Sequence, residues 1–327
     1  MKIAVYAISK NEEKFVERFC ESAKDADLIL VGDTGSTDGT VSALKKCGAQ
    51  VINVHVKPWR FDTARNAVLT ALPKDIDLCI SLDLDEVLTY GWREHIETLW
   101  KNAGGFTRLK YIFDWGHNLR FAVQKIHSRD GYLWKYPCHE YIFMDPQFTE
   151  KQVSTNQLLV QHLPDDKKSR AQYLPLLVAT VEENKHCPRS RFYLGREYTF
   201  VGNHWAATSV LEYYLKMPEA EWNKERSYAM RLLGDSFLAL GDDATAEKWY
   251  RKATLEAPEL REPWHALAKF LVNKGRKVEA LGALGSALKV KTHEPLYLID
   301  PKSWDGSVES MYEELLQWVS TSLPTTQ

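Results

Sequence analysis

The sequence predicts two domains of different class: an α/β domain built on a mainly parallel, doubly wound sheet, followed by an all-α domain of repeated helix pairs. Three observations carry this. Strand and helix patterns alternate over roughly the first 160 residues. Acids and small polar residues gather where the apolar runs end. In the second half, small and large residues recur at a 34-residue spacing.

In chain order, "KIAVYAIS" is a short apolar run and "EEKFVERFCESAK" has helical spacing. "DLILVGD" is a strand ending in Gly-Asp, and "GTVSALKKCG" is a helix closed by Gly48. "AQVINVHV", "TARNAVLTAL" and "DLCISLD" repeat the strand–helix–strand order. Short polar links between such runs favour parallel strands with crossover helices, whose ligands sit beyond the strands' carboxyl ends. Asp33 and Asp83 hold that kind of position. From about residue 106 the pattern turns irregular and aromatic, through "GFTRLKYIFDWGHNLRF" and "GYLWKYPCHEYIF".

After "QHLPDDKKSRAQYLPLL" only helical patterns remain. Leu233-Gly234, Phe237, Ala246, Tyr250, Ala253 and Pro258 form one series. It returns 34 residues later as Leu267-Ala268, Leu271, Ala280, Leu284 and Ala287, and an earlier copy runs Leu194-Gly195, Tyr198, Ala207, Leu211 and Tyr214. The first copy lies 39 residues before the second, so about five residues are inserted near "MPEAEWNKE". The period and residue types resemble the tetratricopeptide repeat, two antiparallel helices per unit. Residues after about 290 read as a further partial helical unit or cap, and "TSLPTTQ" as a loose tail. The expected boundaries are 1–165, 166–320 and 321–327.

Bulk composition bounds the partners. With 327 residues and a net charge of −2, no overall basicity points to a polyanion. No apolar run reaches transmembrane length, and the first residues do not form a signal peptide. The five cysteines show no CxxC pairing and read as reduced thiols, so a cytoplasmic location is expected.

The segment "SLDLDEVL" places Asp83, Asp85 and Glu86 within four residues at the end of an apolar strand. Unpaired carboxylates crowded together and buried are costly, so a counter-charge is required. Alone, the segment also fits the signature of aspartyl-phosphate phosphatases, with the first Asp as nucleophile. "VGDTGSTDGT" is a tight polar loop leading into a helix, without the GK[ST] of a Walker loop or the GxGxxG of a dinucleotide fold.

Four segments in order, "ISKNEEKFVERF", "LILVGDTGSTDGT", "WRFDTARNAVLTAL" and "DLCISLDLDEVL", resemble the family-2 glycosyltransferases of GT-A fold. "YPCHEYIF" and "LLVQHLPDDKKSRAQYLPLL" resemble a branch that joins this domain to tetratricopeptide repeats. The resemblance implies a metal-dependent inverting transfer from a nucleotide-sugar, UDP-linked by expectation, with Mn²⁺ or Mg²⁺ bridging the DxD acids to the diphosphate. It implies that Asp83 lies near the ribose, that Asp85 holds the metal, and that His162 is a late metal ligand. Asp33 would face the base or ribose, with Asn11 and Glu12 nearby, and Arg65 and Asn66 would line the donor site. Glu86 stays open between a third acid of the motif and a solvated acid starting a helix. Glu140 would be the base that deprotonates the acceptor, with His139 orienting it or touching the metal. On the bare pattern, His139 and Glu140 alternate on an edge strand instead. Trp115, His117, Arg120 and Trp134 would form sugar and acceptor walls. The acceptor is open among peptide or protein, saccharide and, least indicated, DNA. Repeats of this kind suit a protein acceptor, a partner or self-association. A scaffold carrying a decayed transferase domain is the competing reading.

Overall fold

The computed structural model describes residues 1–116, 119–164 and 172–322. It divides into two compact units, Met1–Arg170 and Ala171–Gln327. The expected division at 165/166 and most of the expected tail lie outside the described residues.

In the first unit, β1 (Ile3–Ser9), α1 (Glu13–Ala23), β2 (Leu28–Asp33), α2 (Thr40–Lys46), β3 (Gln50–Asn53), α3 (Phe61–Ala71) and β4 (Leu78–Ser81) alternate as expected. β5 (Glu86–Leu88), α4 (Trp92–Ala103), β6 (Arg108–Gly116), β7 (Leu119–Ser128), β8 (Tyr132–Lys135), β9 (Tyr141–Met144) and β10 (Gln152–His162) follow. The main sheet has the order β3-β2-β1-β4-β7-β6-β10-β5, and β8 and β9 form a separate antiparallel pair. β1, β2, β3 and β4 are mutually parallel. β7 then runs antiparallel to both β4 and β6, and β10 runs parallel to β6.

Because β1 is covered on both faces, its residues are apolar throughout rather than alternating. Ile3, Val5 and Ala7 pack with Phe15, Val16 and Phe19 of α1 and Leu44 of α2. Ala4, Tyr6 and Ile8 pack with Ala64, Val68 and Leu69 of α3. The chain thus reverses its winding between β1 and β4, and ligand crevices form at the carboxyl ends there. Gly32 is obligatory for the closeness of α3: a Cβ on it would stand 2.4 Å from Val68 Cγ2 and 2.9 Å from Val54 Cγ2.

The second unit contains α5 (Tyr173–Glu183), α6 (Pro188–Phe200), α7 (His204–Lys216), α8 (Asn223–Ala239), α9 (Asp243–Glu256), α10 (Arg261–Asn273), α11 (Lys277–Lys289) and α12 (Ser307–Ser322). Successive pairs α6/α7, α8/α9 and α10/α11 coincide with the three sequence copies. The recurring small residue marks where paired helices meet. A Cβ on Gly195 would lie 2.5 Å from Leu211, and one on Gly234 would lie 2.6 Å from Tyr250. Asn203 and Asp242 cap α7 and α9 by accepting from the backbone N–H of Ala206 and Thr245. The further partial helical unit or cap expected after about 290 corresponds to α12, which packs against α11. Residues 290–306 carry only a single 3₁₀ turn at Pro301–Ser303 before α12 begins.

Gly32→Ala should therefore destabilise the protein by about 1–3 kcal/mol through overpacking. Adding Val68→Ala should recover part of that loss in urea denaturation, whereas simple additivity of the two costs would contradict the packing account.

Candidate active site

At the carboxyl end of the sheet, three acids of one short segment meet three different environments. Asp83 Oδ1 accepts from Arg65 Nη2 at 2.7 Å. Glu86 is buried on β5; its Oε1 pairs with Lys125 Nζ at 2.6 Å and its Oε2 accepts from the Asp83 backbone N–H at 3.1 Å. Asp85, only 7 % exposed, has no Lys or Arg partner among the described residues and faces His162 Nε2 at 3.6 Å. Glu86 is thus neither solvated nor at a helix start. Lys125, on β7, is the counter-charge that sequence reasoning missed.

Arg65, projecting from the first turn and a half of α3, joins two parts of this edge. Its Nε donates to Glu140 Oε1 at 2.7 Å while Nη2 holds Asp83. Burial opposes the guanidinium's charge, but Asp83 and Glu140 outweigh it and raise its pKa above the ordinary arginine value. The same balance holds at Lys125, where burial is outweighed by Glu86 and Asp83 and the pKa rises. Lys125's contribution is thus intact at neutral pH and lost as pH climbs through its raised pKa. At Glu86, burial outweighs Lys125 and raises the carboxyl's pKa, so keeping it ionised opposes stability above the ordinary carboxylate range.

Glu140 lies in the loop between β8 and β9, so the edge-strand alternation expected of His139 and Glu140 does not occur. The loop is shaped by two left-handed residues, Tyr136 (φ 82°) and His139 (φ 50°), and is anchored where Phe61 N–H donates to Pro137 O at 3.1 Å. Non-glycine residues in this region are strained, and surrounding contacts must hold them there. Beneath the loop, Trp134 is only 3 % exposed, its ring under the Arg65 guanidinium at 5.0 Å. Trp134 Nε1 donates to Tyr6 Oη at 2.8 Å. Tyr6 Oη lies 2.8 Å from His127 Nε2, and His127 Nδ1 lies 2.7 Å from Ser128 O. Since the carbonyl can only accept, the chain is directed: Nδ1 carries the proton and Nε2 accepts from the tyrosine. Burial lowers the His127 pKa to about 4.

Several expected donor-site residues act instead as braces. Trp134 is buried and cannot serve as a sugar wall. Asn66 gives both ends of its amide to the Trp134 backbone, at 2.9 and 2.8 Å, pinning β8 to α3 rather than facing outward. Asp33 is buried, with Oδ2 accepting from the N–H groups of Gly35 and Ser36 and Oδ1 from Ser36 Oγ. It organises the loop following β2 instead of presenting a free carboxylate. Asn11 (φ 55°) ties that loop to the one after β1 by accepting from Thr37 N–H at 2.7 Å, and Glu12 N–H donates to Thr40 Oγ1 at 2.8 Å. Asn11, Glu13, Lys14 and Asp38 line a shallow depression there.

Trp115 is 44 % exposed on β6, with its ring 4.2 Å from that of His162. Of the expected wall residues, Trp115 is the one that packs on His162 among the described residues. Arg120 is exposed on β7 and paired with Asp114 at 2.8 Å; His117 lies outside the described residues.

Residues 5–135 match the family model described as glycosyl transferase family 2. The first unit carries a family 2 glycosyl transferase domain. The phosphatase reading of the three acids falls with this match. An uncharacterised glycosyltransferase of Rickettsia bellii is 32% identical to the chain over 111 residues, covering 34% of this chain and 36% of the relative. The chain thus spans little more than a third of that relative's length. Among solved structures, glucosyl-3-phosphoglycerate synthase of Mycobacterium tuberculosis, in a complex with Mn²⁺, UDP and glucosyl-3-phosphoglycerate, is similar at 25% identity. That likeness covers 34% of this chain and 44% of that one with a TM-score of 0.28. The type III secretion chaperone SycD of Yersinia enterocolitica is similar at 19% identity over 40% of this chain and 92% of its own, with a TM-score of 0.33. Likenesses of this extent do not say what the transferase domain binds.

Two measurements check the electrostatics of the transferase domain. Lys125→Met should cost about 3–5 kcal/mol at pH 8 by stranding Glu86, and adding Glu86→Leu should restore most of it; failure of the second change to rescue would refute the pairing. His127 must stay neutral in the fold, so stability should fall as pH drops from about 6.5 toward 4. His127→Gln should flatten that part of the urea-midpoint profile.

Proposed function

We propose that the protein transfers a sugar from a nucleotide-sugar to an acceptor hydroxyl or thiol, with inversion and with a divalent cation. The observation that carries this reading is the division among the three acids. Arg65 holds Asp83 and Lys125 holds Glu86, which leaves Asp85 facing His162 without a cationic side chain among the described residues. His162 Nδ1 is buried with no hydrogen-bond partner among those residues.

One carboxylate and one imidazole suit Mn²⁺ or Mg²⁺ when the remaining positions are filled by water and phosphate oxygens. Bound there, the ion would neutralise the diphosphate and stabilise the charge on the leaving nucleotide.

The chain's own residues supply the rest. Trp115 offers an exposed aromatic face beside His162 against which a sugar ring can stack. Arg65 holds Oε1 of Glu140, and Oε2 is the oxygen left to accept the acceptor's proton. A base fixed by a charge-assisted hydrogen bond loses no orientation on substrate arrival. Asp83, fixed by the same guanidinium, sets the distance between the base and the nucleotide end. The sugar and the acceptor are not specified by these residues.

Asp85→Ala should abolish Mn²⁺-dependent binding of UDP-sugars, screened beside GDP- and dTDP-sugars by thermal shift, while the fold is kept. Unchanged binding would remove Asp85 from the metal site. Glu140→Gln should lower UDP release in the presence of acceptor by about 10²–10⁴-fold with donor affinity retained; equal loss of both would make it a binding residue only.

A further inference from the structure

In the second unit, the chain between α11 and α12 does not continue the helical stack. It runs back across the first helices of the three pairs, α6, α8 and α10. Tyr297 stacks on Tyr193 of α6, with centroids 6.2 Å apart and planes at 22°, and its hydroxyl donates to Glu225 of α8. Leu298 and Ile299 are buried. Trp304 Nε1 donates to Glu262 Oε1 of α10 at 2.8 Å, and the Arg261 guanidinium lies 4.1 Å over its ring.

The backbone of this segment is read as well as its side chains. Arg231 Nη2 donates to Leu298 O at 3.3 Å, and Arg261 Nη1 donates to Ser303 O at 3.1 Å. His265 Nδ1 lies 2.9 Å from Ser303 Oγ. Arg231, Arg261 and His265 project from α8 or α10. Buried side chains aimed at carbonyls, beside a ring on which an aromatic stacks, are the elements by which a surface holds an extended peptide. Stacked helix pairs present such a surface along their first helices.

The contact leaves space beside Arg231. Arg231 is 7 % exposed, yet its Nε has no hydrogen-bond partner among the described residues. It lines a cavity with Tyr228, Asp235, Lys269, Phe270 and Asp300, of which only Asp300 belongs to the crossing segment. Lys269 and Asp300 stand 4.0 Å apart across it.

We propose that the face of α6, α8 and α10 is a peptide-binding surface held in cis by residues 293–304. Its external partner is an extended peptide with the order aromatic, aliphatic, aliphatic, acid, as in Tyr297-Leu298-Ile299-Asp300. The cis segment competes at the millimolar effective concentration of a short tether, so a free peptide binds the intact chain weakly. This holds independently of what the transferase domain transfers.

The probe is a fluorescent peptide of residues 293–304, titrated against the full chain and against its Tyr297→Ala/Leu298→Ala variant. The variant should bind it at least about tenfold more tightly than the wild type, by the loss of the tethered competitor. A peptide carrying the same two alanines should bind neither. A variant with wild-type helicity that fails to bind the peptide would overturn the proposal. Should the variant not fold, hydrogen exchange on the wild-type chain decides. Amides of Leu296 to Trp304 should exchange at least about tenfold faster than those of α8 and α10, reporting local release. Exchange of the segment only together with those helices would make it a fixed part of the core and refute a displaceable ligand.

Discussion

One buried guanidinium organises the functional edge of the transferase domain. Arg65 reaches from α3 to Asp83 beyond β4 and to Glu140 in the loop between β8 and β9. Elements distant in sequence are brought to one point, and three charges that would be expensive singly become tolerable together. Everything around Arg65 limits its freedom. Trp134 lies against one face, Asn66 pins the Trp134 backbone to α3, and the Trp134–Tyr6–His127 chain fixes the indole from below. Loss of this cation would strand two carboxylates and release the loop that carries Glu140.

Around that point the acids are sorted by what neutralises them. Asp83 and Glu86 are satisfied by the protein itself, and Glu86 also accepts from the Asp83 backbone N–H. Asp85 is left with an imidazole. Of the three crowded carboxylates, two are thus paired to cations of the protein and Asp85 has no Lys or Arg partner among the described residues. The division explains why a local reading of "LDLDEVL" cannot rank its residues: the ranking is made by Arg65 and Lys125, which are remote in sequence.

Much of the architecture was legible in the sequence, and the reasons differ between elements. The alternation from β1 to β4 follows directly from apolar runs, glycines and polar links. The repeats were legible because Gly195 and Gly234 mark the same close approach of paired helices, and the buried Ala268 recurs at the same place in the period. Asp85 and His162 come together as the resemblance implied. Lys125 was invisible because it meets Glu86 only through the order of strands in a mixed sheet, which no local pattern encodes. Trp134 and Asn66 were misplaced for a related reason: an indole or an amide has the same composition whether it faces a ligand or braces a strand. Within the partial helical unit or cap expected after about 290, α12 is helical. Where it begins was not legible, because Tyr-Leu-Ile is equally apolar when it packs in a non-helical conformation across helices.

The loop after β2 has a consequence for the thermodynamics of the first unit. Its backbone N–H groups at Gly35 and Ser36 already bond to Asp33, and Asn11 secures Thr37 from the opposite side. The conformational entropy of that loop is therefore spent during folding. A ligand arriving at this edge meets a surface in its final shape, and little of its binding free energy is consumed in ordering protein. The affinity of any ligand bound there would depend on water displaced and charges matched, and so on ionic strength more than on the stiffness of the polypeptide.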